Sequence, residues 1–211
     1  MKLYIYEHCP FSTRARMIFG LKKIPVELEV IMEGDAETPT QLVGKKVVPI
    51  LVKDDGTAMA ESMDIVRYVD GLVGPMVLSD PPRTDIIAWC EKARPIVSRL
   101  SIPRMVRSSF KENSTEVSQK AYRERETKAF GDLEALIADS PSLIEEAHDL
   151  LNQLEPLIEN WPARSETDLV LFSQLRALSI VKGLKFGPKV DAFAADMVNG
   201  SAVELLRDRA N

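Results

Sequence analysis

The chain has 211 residues, 45% hydrophobic and 28% charged, with a formal net charge of −5. That is the composition of a soluble globular protein, long enough for one large or two small cores, and neither its first third nor the remainder is basic enough to be an electrostatic footprint for nucleic acid. No apolar run approaches the ~18 residues of a membrane span, and two widely separated cysteines, Cys9 and Cys90, give neither a disulfide framework nor metal-ligand spacing, so no metal is expected.

In chain order, residues 3–6 form a short apolar run that reads as a buried strand. It ends at Glu7-His8-Cys9-Pro10, where Pro10 suits the first turn of a helix. Residues 12–23 have helical periodicity, with Ala15, Ile18, Phe19 and Leu21 as the apolar stripe; Lys22 and Lys23 suit the C-terminal end of the dipole, and Ile24-Pro25 stops the helix. Residues 26–31 alternate as a half-buried strand. Residues 46–52 give the next strand signal, with Pro49 marking an edge or a bend, and residues 57–60 return after the Asp54-Asp55-Gly56 turn. Glu61-Ser62 then opens a helix carrying Ile65, Val66, Val69 and Leu72. Strand, helix, strand, hairpin and helix is an order that resembles the thioredoxin fold.

After Gly74 the texture changes. Gly74-Pro75 and Ser79-Asp80-Pro81-Pro82 punctuate a linker over residues 73–83. Beyond it the periodicity is helical, with expected helices at 84–100 (interrupted at Pro95), 115–138, 142–160, 167–182 and 188–207. Ser142 and Thr167-Asp168 read as helix starts. The expected division is residues 1–72, an α/β thioredoxin-like domain, then the linker 73–83, then an all-α domain over 84–211. The basic run Lys92, Arg94, Arg99, Arg104, Arg107 and Lys111 holds Phe110 as its single aromatic and reads as a solvated surface.

The chemistry lies in Cys9-Pro10-Phe11-Ser12. A cysteine placed directly after a strand and at a helix start meets free backbone N–H groups and the positive end of the dipole, which favour the thiolate. Arg14 and Arg16 add positive charge in the first turns. Ser12 stands one turn on, where a dithiol enzyme carries its second cysteine. A hydroxyl cannot close a disulfide, so Cys9 must act as a single nucleophile that takes up a small thiol and is released by a second molecule of it. Val48-Pro49, with a cis bond, leaves the backbone of Val48 free to pair with an extended peptide. Ser62 at a helix start is a seat for a carboxylate, and Glu61 can pair with an ammonium beside it, which together match the amino-acid end of a γ-glutamyl peptide.

Bland readings cover the other candidates. His8 reads as a partly exposed structural histidine, Cys90 beside Trp89 as a small core residue, and Met59 and Met63 as packing; His148 has no evident partner.

These blocks resemble the bacterial glutaredoxin 2 type. Residues 1–6 with His8-Cys9-Pro10, residues 15–22, residues 24–28, residues 48–51 and residues 61–66 carry the likeness, which is looser in the helical half around 100–110 and 171–183. The resemblance implies a glutathione-transferase-like architecture, glutathione as co-substrate, Cys9 as nucleophile, and Val48, Glu61 and Ser62 as glutathione contacts. The expected protein is a cytoplasmic monomer acting on glutathionylated proteins or small disulfides, and its charge and hydropathy give no nucleic acid or membrane partner. The first residues hold no signal-peptide core, in keeping with that compartment. Ser12 departs from the family, which usually has a second cysteine there; monothiol chemistry is left intact and dithiol chemistry is not. The tetrapeptide also resembles dehydroascorbate reductases and omega-like glutathione transferases, and a glutathione-binding or redox-sensing module without turnover is the reading from outside the enzyme class.

Overall fold

The computed structural model describes residues 1–158 and 164–211. Its first part runs β1 (Lys2–Ile5), α1 (Pro10–Leu21), β2 (Glu27–Val30), α2 (Glu37–Val43), β3 (Ile50–Val52), β4 (Ala58–Ala60) and α3 (Ser62–Asp70). The strands lie in the order β2-β1-β3-β4, with β1 parallel to β2 and antiparallel to β3. Leu3 and Ile5 point from β1 into a core shared with Ile18, Leu51, Ile65 and Val66. On the site side Tyr6, Cys9 and Ile31 form a second, smaller cluster with Tyr4 and Val48 packed on it.

The expected strand at 26–31 is shorter, and it is not half-buried: β2 is an edge strand and Leu28 is 45% exposed. The strand expected over 46–52 begins only at Ile50, because Pro49 has no N–H to give the ladder; the Val48–Pro49 bond is cis, as expected. Helix α2 had no sequence reading, and Leu72 lies beyond α3, exposed.

The helical part comprises α4 (Thr84–Arg107), α5 (Glu116–Phe130), α6 (Leu133–Ala138), α7 (Ser140–Leu154), α8 (Glu166–Leu178) and α9 (Pro188–Ser201). Pro95 does not interrupt α4; it sits on the exposed side, where water can satisfy the carbonyl it frees. The single helix expected over 115–138 is broken at Gly131, whose φ of 78° the left-handed region allows glycine. Helix α7 starts at Ser140 rather than Ser142, and the end expected at Asn160 lies outside the described residues. Helix α8 starts earlier than Thr167, because Ser165 is the cap: its hydroxyl accepts from Thr167 N while Asp168 accepts from Ser165 N. Helices α8 and α9 end at Leu178 and Ser201, short of the expected limits.

Arg104, expected on a solvated surface, is buried, and so is the Lys22 side chain. Arg104 donates to the carbonyls of Leu100 and Asn211 and to Ser140 Oγ, so it ties α4 to α7 and the C-terminus. Lys22 does more than face the helix dipole. It donates to the carbonyls of Asp70 and Pro75 and pairs with the Asp70 carboxylate at 3.4 Å, while Asp70 accepts from Val77 N and Leu78 N. That pair pins residues 75–78 under the C-terminal end of α1.

Helix α1 packs on α3, α8 and α9, and so carries both parts of the molecule. At Gly20 the approach to α9 is so close that an added Cβ would lie 1.9 Å from the Ser201 carbonyl oxygen. Alanine in a helix gains ~1 kcal/mol over glycine, but overpacking against backbone costs about 1–3 kcal/mol. We expect Gly20→Ala to lower Tm by several degrees; a thermal melt that rises instead would show that α1 and α9 are not in this contact.

Candidate active site

A cleft of about 690 Å³ opens between the sheet-bearing part and the helical part. Cys9, Pro10, Phe11 and Val48 line it from one side, and α4, α5 and α8 from the other. Cys9 caps α1 in an extended conformation, with 9% of its surface exposed. Phe11 is half exposed at the rim, and the Arg14 guanidinium lies 4.9 Å from its ring centre. Ser12 is fully buried behind the thiol, where its hydroxyl accepts from Tyr6 N at 3.3 Å. Pro49, Glu61 and Ser62 do not line the cleft. Ser62 opens α3 and is buried; Glu61, at φ 70°, is exposed and its carboxylate accepts from Lys45 at 2.8 Å.

The expected acid thiol is corrected by this geometry. Burial pushes the Cys9 thiol above its ordinary value. The Ser12 backbone and hydroxyl, the Phe11 N–H and the Arg14 charge all pull downward without cancelling it. A helix start lowers a thiol only as far as solvent loss permits. Cys90 is shut in the core, and burial pushes it up to about 12.

The loop before Cys9 is held from the helical part. His8 is buried, not partly exposed: its ring lies stacked between Tyr6 and Tyr122, at 5.7 and 4.6 Å between centres. The turn Lys111–Asn113 brings Glu112 to it, and one carboxylate oxygen accepts from both His8 N (2.9 Å) and His8 Nδ1 (2.6 Å). Burial raises Glu112, but the two His8 donors outweigh it and its carboxyl sits below the usual range. Across the ring, His8 Nε2 faces Glu33 at 3.9 Å; Glu33 is raised by burial, opposed by Arg125, which donates to it at 2.6 Å. Arg176 of α8 completes the clamp by donating to the Glu7 carbonyl, Thr13 Oγ1 and the Glu204 carbonyl. Burial, with Arg16 and Arg209 nearby, pulls it down to about 9, so it stays charged at neutral pH.

None of Glu112, Glu33, Arg125, Tyr122 and Arg176 was legible as a site residue, since each comes from a segment with no motif. Only His8, next to Cys9, gave a local signal. Among the described residues no cluster of His, Cys, Asp and Glu could hold a metal ion, and no helix is long and apolar enough to cross a membrane.

Residues 85–210 match the family described as glutaredoxin 2, C terminal domain, and residues 3–76 match glutathione S-transferase, N-terminal domain. The chain is 42% identical over 214 residues to glutaredoxin 2 of Escherichia coli (strain K12), covering 100% of both. It is 40% identical to the crystal structure of glutaredoxin 2 from Salmonella typhimurium in complex with glutathione, at a TM-score of 0.97 over 100% of this chain and 98% of that one. Gtt2 from Saccharomyces cerevisiae, 18% identical, gives a TM-score of 0.59 over 94% and 96%, a likeness of fold alone.

Two outcomes test the site's electrostatics. The rate of Cys9 alkylation should rise with pH to a midpoint above the ~8.5 of a free thiol, and Ser12→Ala, which removes a hydrogen bond to the thiolate, should move it higher still; a downward move would reverse the assignment. Glu112, whose folded pKa is depressed, stabilises above its ordinary value of 4.5 and loses that contribution as pH falls through the folded value. Glu112→Gln should therefore cost about 1.5–3 kcal/mol near neutral pH, and the gap from wild type should narrow in acid, as read by denaturant midpoints at both pH values.

Proposed function

The chain belongs to the glutaredoxin 2 family and is a glutathione-dependent thiol–disulfide oxidoreductase, and from that premise we propose that it turns over by a monothiol route with Cys9 as the sole working sulfur. One observation carries this reading: the position one helical turn beyond Cys9 holds the buried hydroxyl of Ser12, and the second cysteine, Cys90, is closed inside the core.

The Cys9 thiolate attacks the glutathione sulfur of a mixed disulfide; the substrate sulfur leaves with the bonding pair and takes up a proton. The resulting Cys9–glutathione disulfide has no internal thiol to open it. A second glutathione thiolate attacks the glutathione-derived sulfur, oxidised glutathione leaves, and Cys9 departs as a thiolate. The net reaction consumes one glutathione thiol and releases one substrate thiol.

In this reading the tripeptide lies along Val48, whose backbone N–H and carbonyl have no hydrogen-bond partner among the described residues, at the turn Pro49 shapes. Glu61 exchanges its contact with Lys45 for the γ-glutamyl ammonium, and Ser62 receives the adjacent carboxylate at the start of α3. Residues 1–72 supply nucleophile and glutathione seat, residues 73–83 are the linker, and residues 84–211 close the cleft and hold the loop. The substrates are glutathionylated proteins or small disulfides, reduced by a cytoplasmic monomer.

Oxidised glutathione should leave the protein as a one-to-one Cys9 adduct, visible by intact mass. In Ser12→Cys that adduct should collapse to an internal disulfide lacking the glutathione mass. Cys9→Ser should abolish exchange and Cys90→Ser leave it nearly unchanged. Activity without any adduct in the wild type, or equal losses from both serine variants, would refute the route.

A further inference from the structure

The helical wall of the cleft carries an arrangement that the route above does not use. Arg14 reaches toward α8 and donates through Nε to Ser173 Oγ at 3.1 Å. Arg94, on α4, lines the same wall and has no hydrogen bond or ion pair among the described residues. The two guanidiniums are close enough that Arg94 adds its repulsion to the effect of burial on Arg14. Neither has a carboxylate partner among the described residues. Both also stand near Cys90, whose carbonyl accepts from Gln174 Nε2 at 3.0 Å. That bond fixes which way the Gln174 amide points, because the carbonyl can take only the N–H side. Gln174 Oε1 is left buried and unpaired in a side chain 6% exposed, on a residue that lines the cleft.

An unpaired acceptor asks for an N–H, and a pair of uncompensated guanidiniums asks for an anion. Amide N–H and carboxylate occur together at the C-terminal residue of a peptide. We propose that Arg94, Arg14 and Gln174 form a subsite for the C-terminal carboxylate and adjacent amide of the peptide thiol that is exchanged at Cys9. This deepens the monothiol reading and rests on it, since the tripeptide held along Val48 occupies the opposite side of the cleft. The same carboxylate chemistry could come from that first glutathione, and the test separates the two sources.

The probes are two mixed disulfides of glutathione, one with N-acetylcysteinylglycine and one with its C-terminal amide. Wild type should favour the acid over the amide in kcat/KM by about tenfold, the value of one charge-assisted hydrogen bond. Arg94→Gln, a change at an exposed and unpaired side chain, should bring that ratio close to one, and Arg94→Lys should keep part of it. No preference in wild type, or a preference that survives Arg94→Gln, overturns the subsite. So does an equal fall for both probes with a raised KM for glutathione, since the guanidinium would then hold the tripeptide itself. Turnover of both probes by wild type and its loss in Cys9→Ser report on the monothiol reading separately.

Discussion

The position of the loop that leads into Cys9 depends on a carboxylate far from it in sequence, that of Glu112. Glu112 sits fully buried and accepts two hydrogen bonds from His8, one from the backbone and one from the ring, so the residue before Cys9 is held at both its backbone and its side chain. A buried carboxylate is costly, Glu112 Oε2 has no hydrogen-bond partner among the described residues, and the two bonds on Oε1 hold only while the loop and the helical part stay in register. The Glu33 backbone N–H closes the same knot by donating to the Glu112 carbonyl at 2.7 Å. The thiol is thus placed by the packing of one half of the molecule on the other.

The same packing sets a conflict at the sulfur. Helix α1 offers Cys9 its free N–H groups, and Ser12 adds a hydroxyl, but the seat that brings these donors close also removes water. Water is the better solvent for a thiolate than a few fixed dipoles, so desolvation wins in the free protein. Cys9 keeps 9% of its surface exposed, and it lines the cleft.

The cleft is asymmetric in what it can recognise. Its sheet side includes Val48, whose backbone N–H and carbonyl have no partner among the described residues, whereas its helical side is built from α4, α5 and α8. Arg176 and Arg14 cross between the two sides, each from one part to a group on the other. Movement of the helical part would therefore disturb the start of α1 and the cleft wall together.

Period and punctuation in the sequence determined the local elements: the strand into Cys9-Pro10, the α1 stripe of Ala15, Ile18 and Phe19, and the change to helices after Gly74. The tetrapeptide with serine at its end determined that no second thiol stands one helical turn beyond Cys9, because that depends only on residue type and spacing, whereas the closure of Cys90 inside the core came from tertiary structure. What the sequence could not determine is anything that rests on burial. His8, Lys22 and Arg104 have the composition of surface residues and lie inside, each satisfied by a partner from a distant segment: Glu112, Asp70, and Ser140 with Asn211. The direction of the Cys9 shift belongs to the same class. A helix dipole is local and can be read along the chain, whereas desolvation is a sum over every atom brought near by folding, so tertiary structure alone decided which of the two prevails.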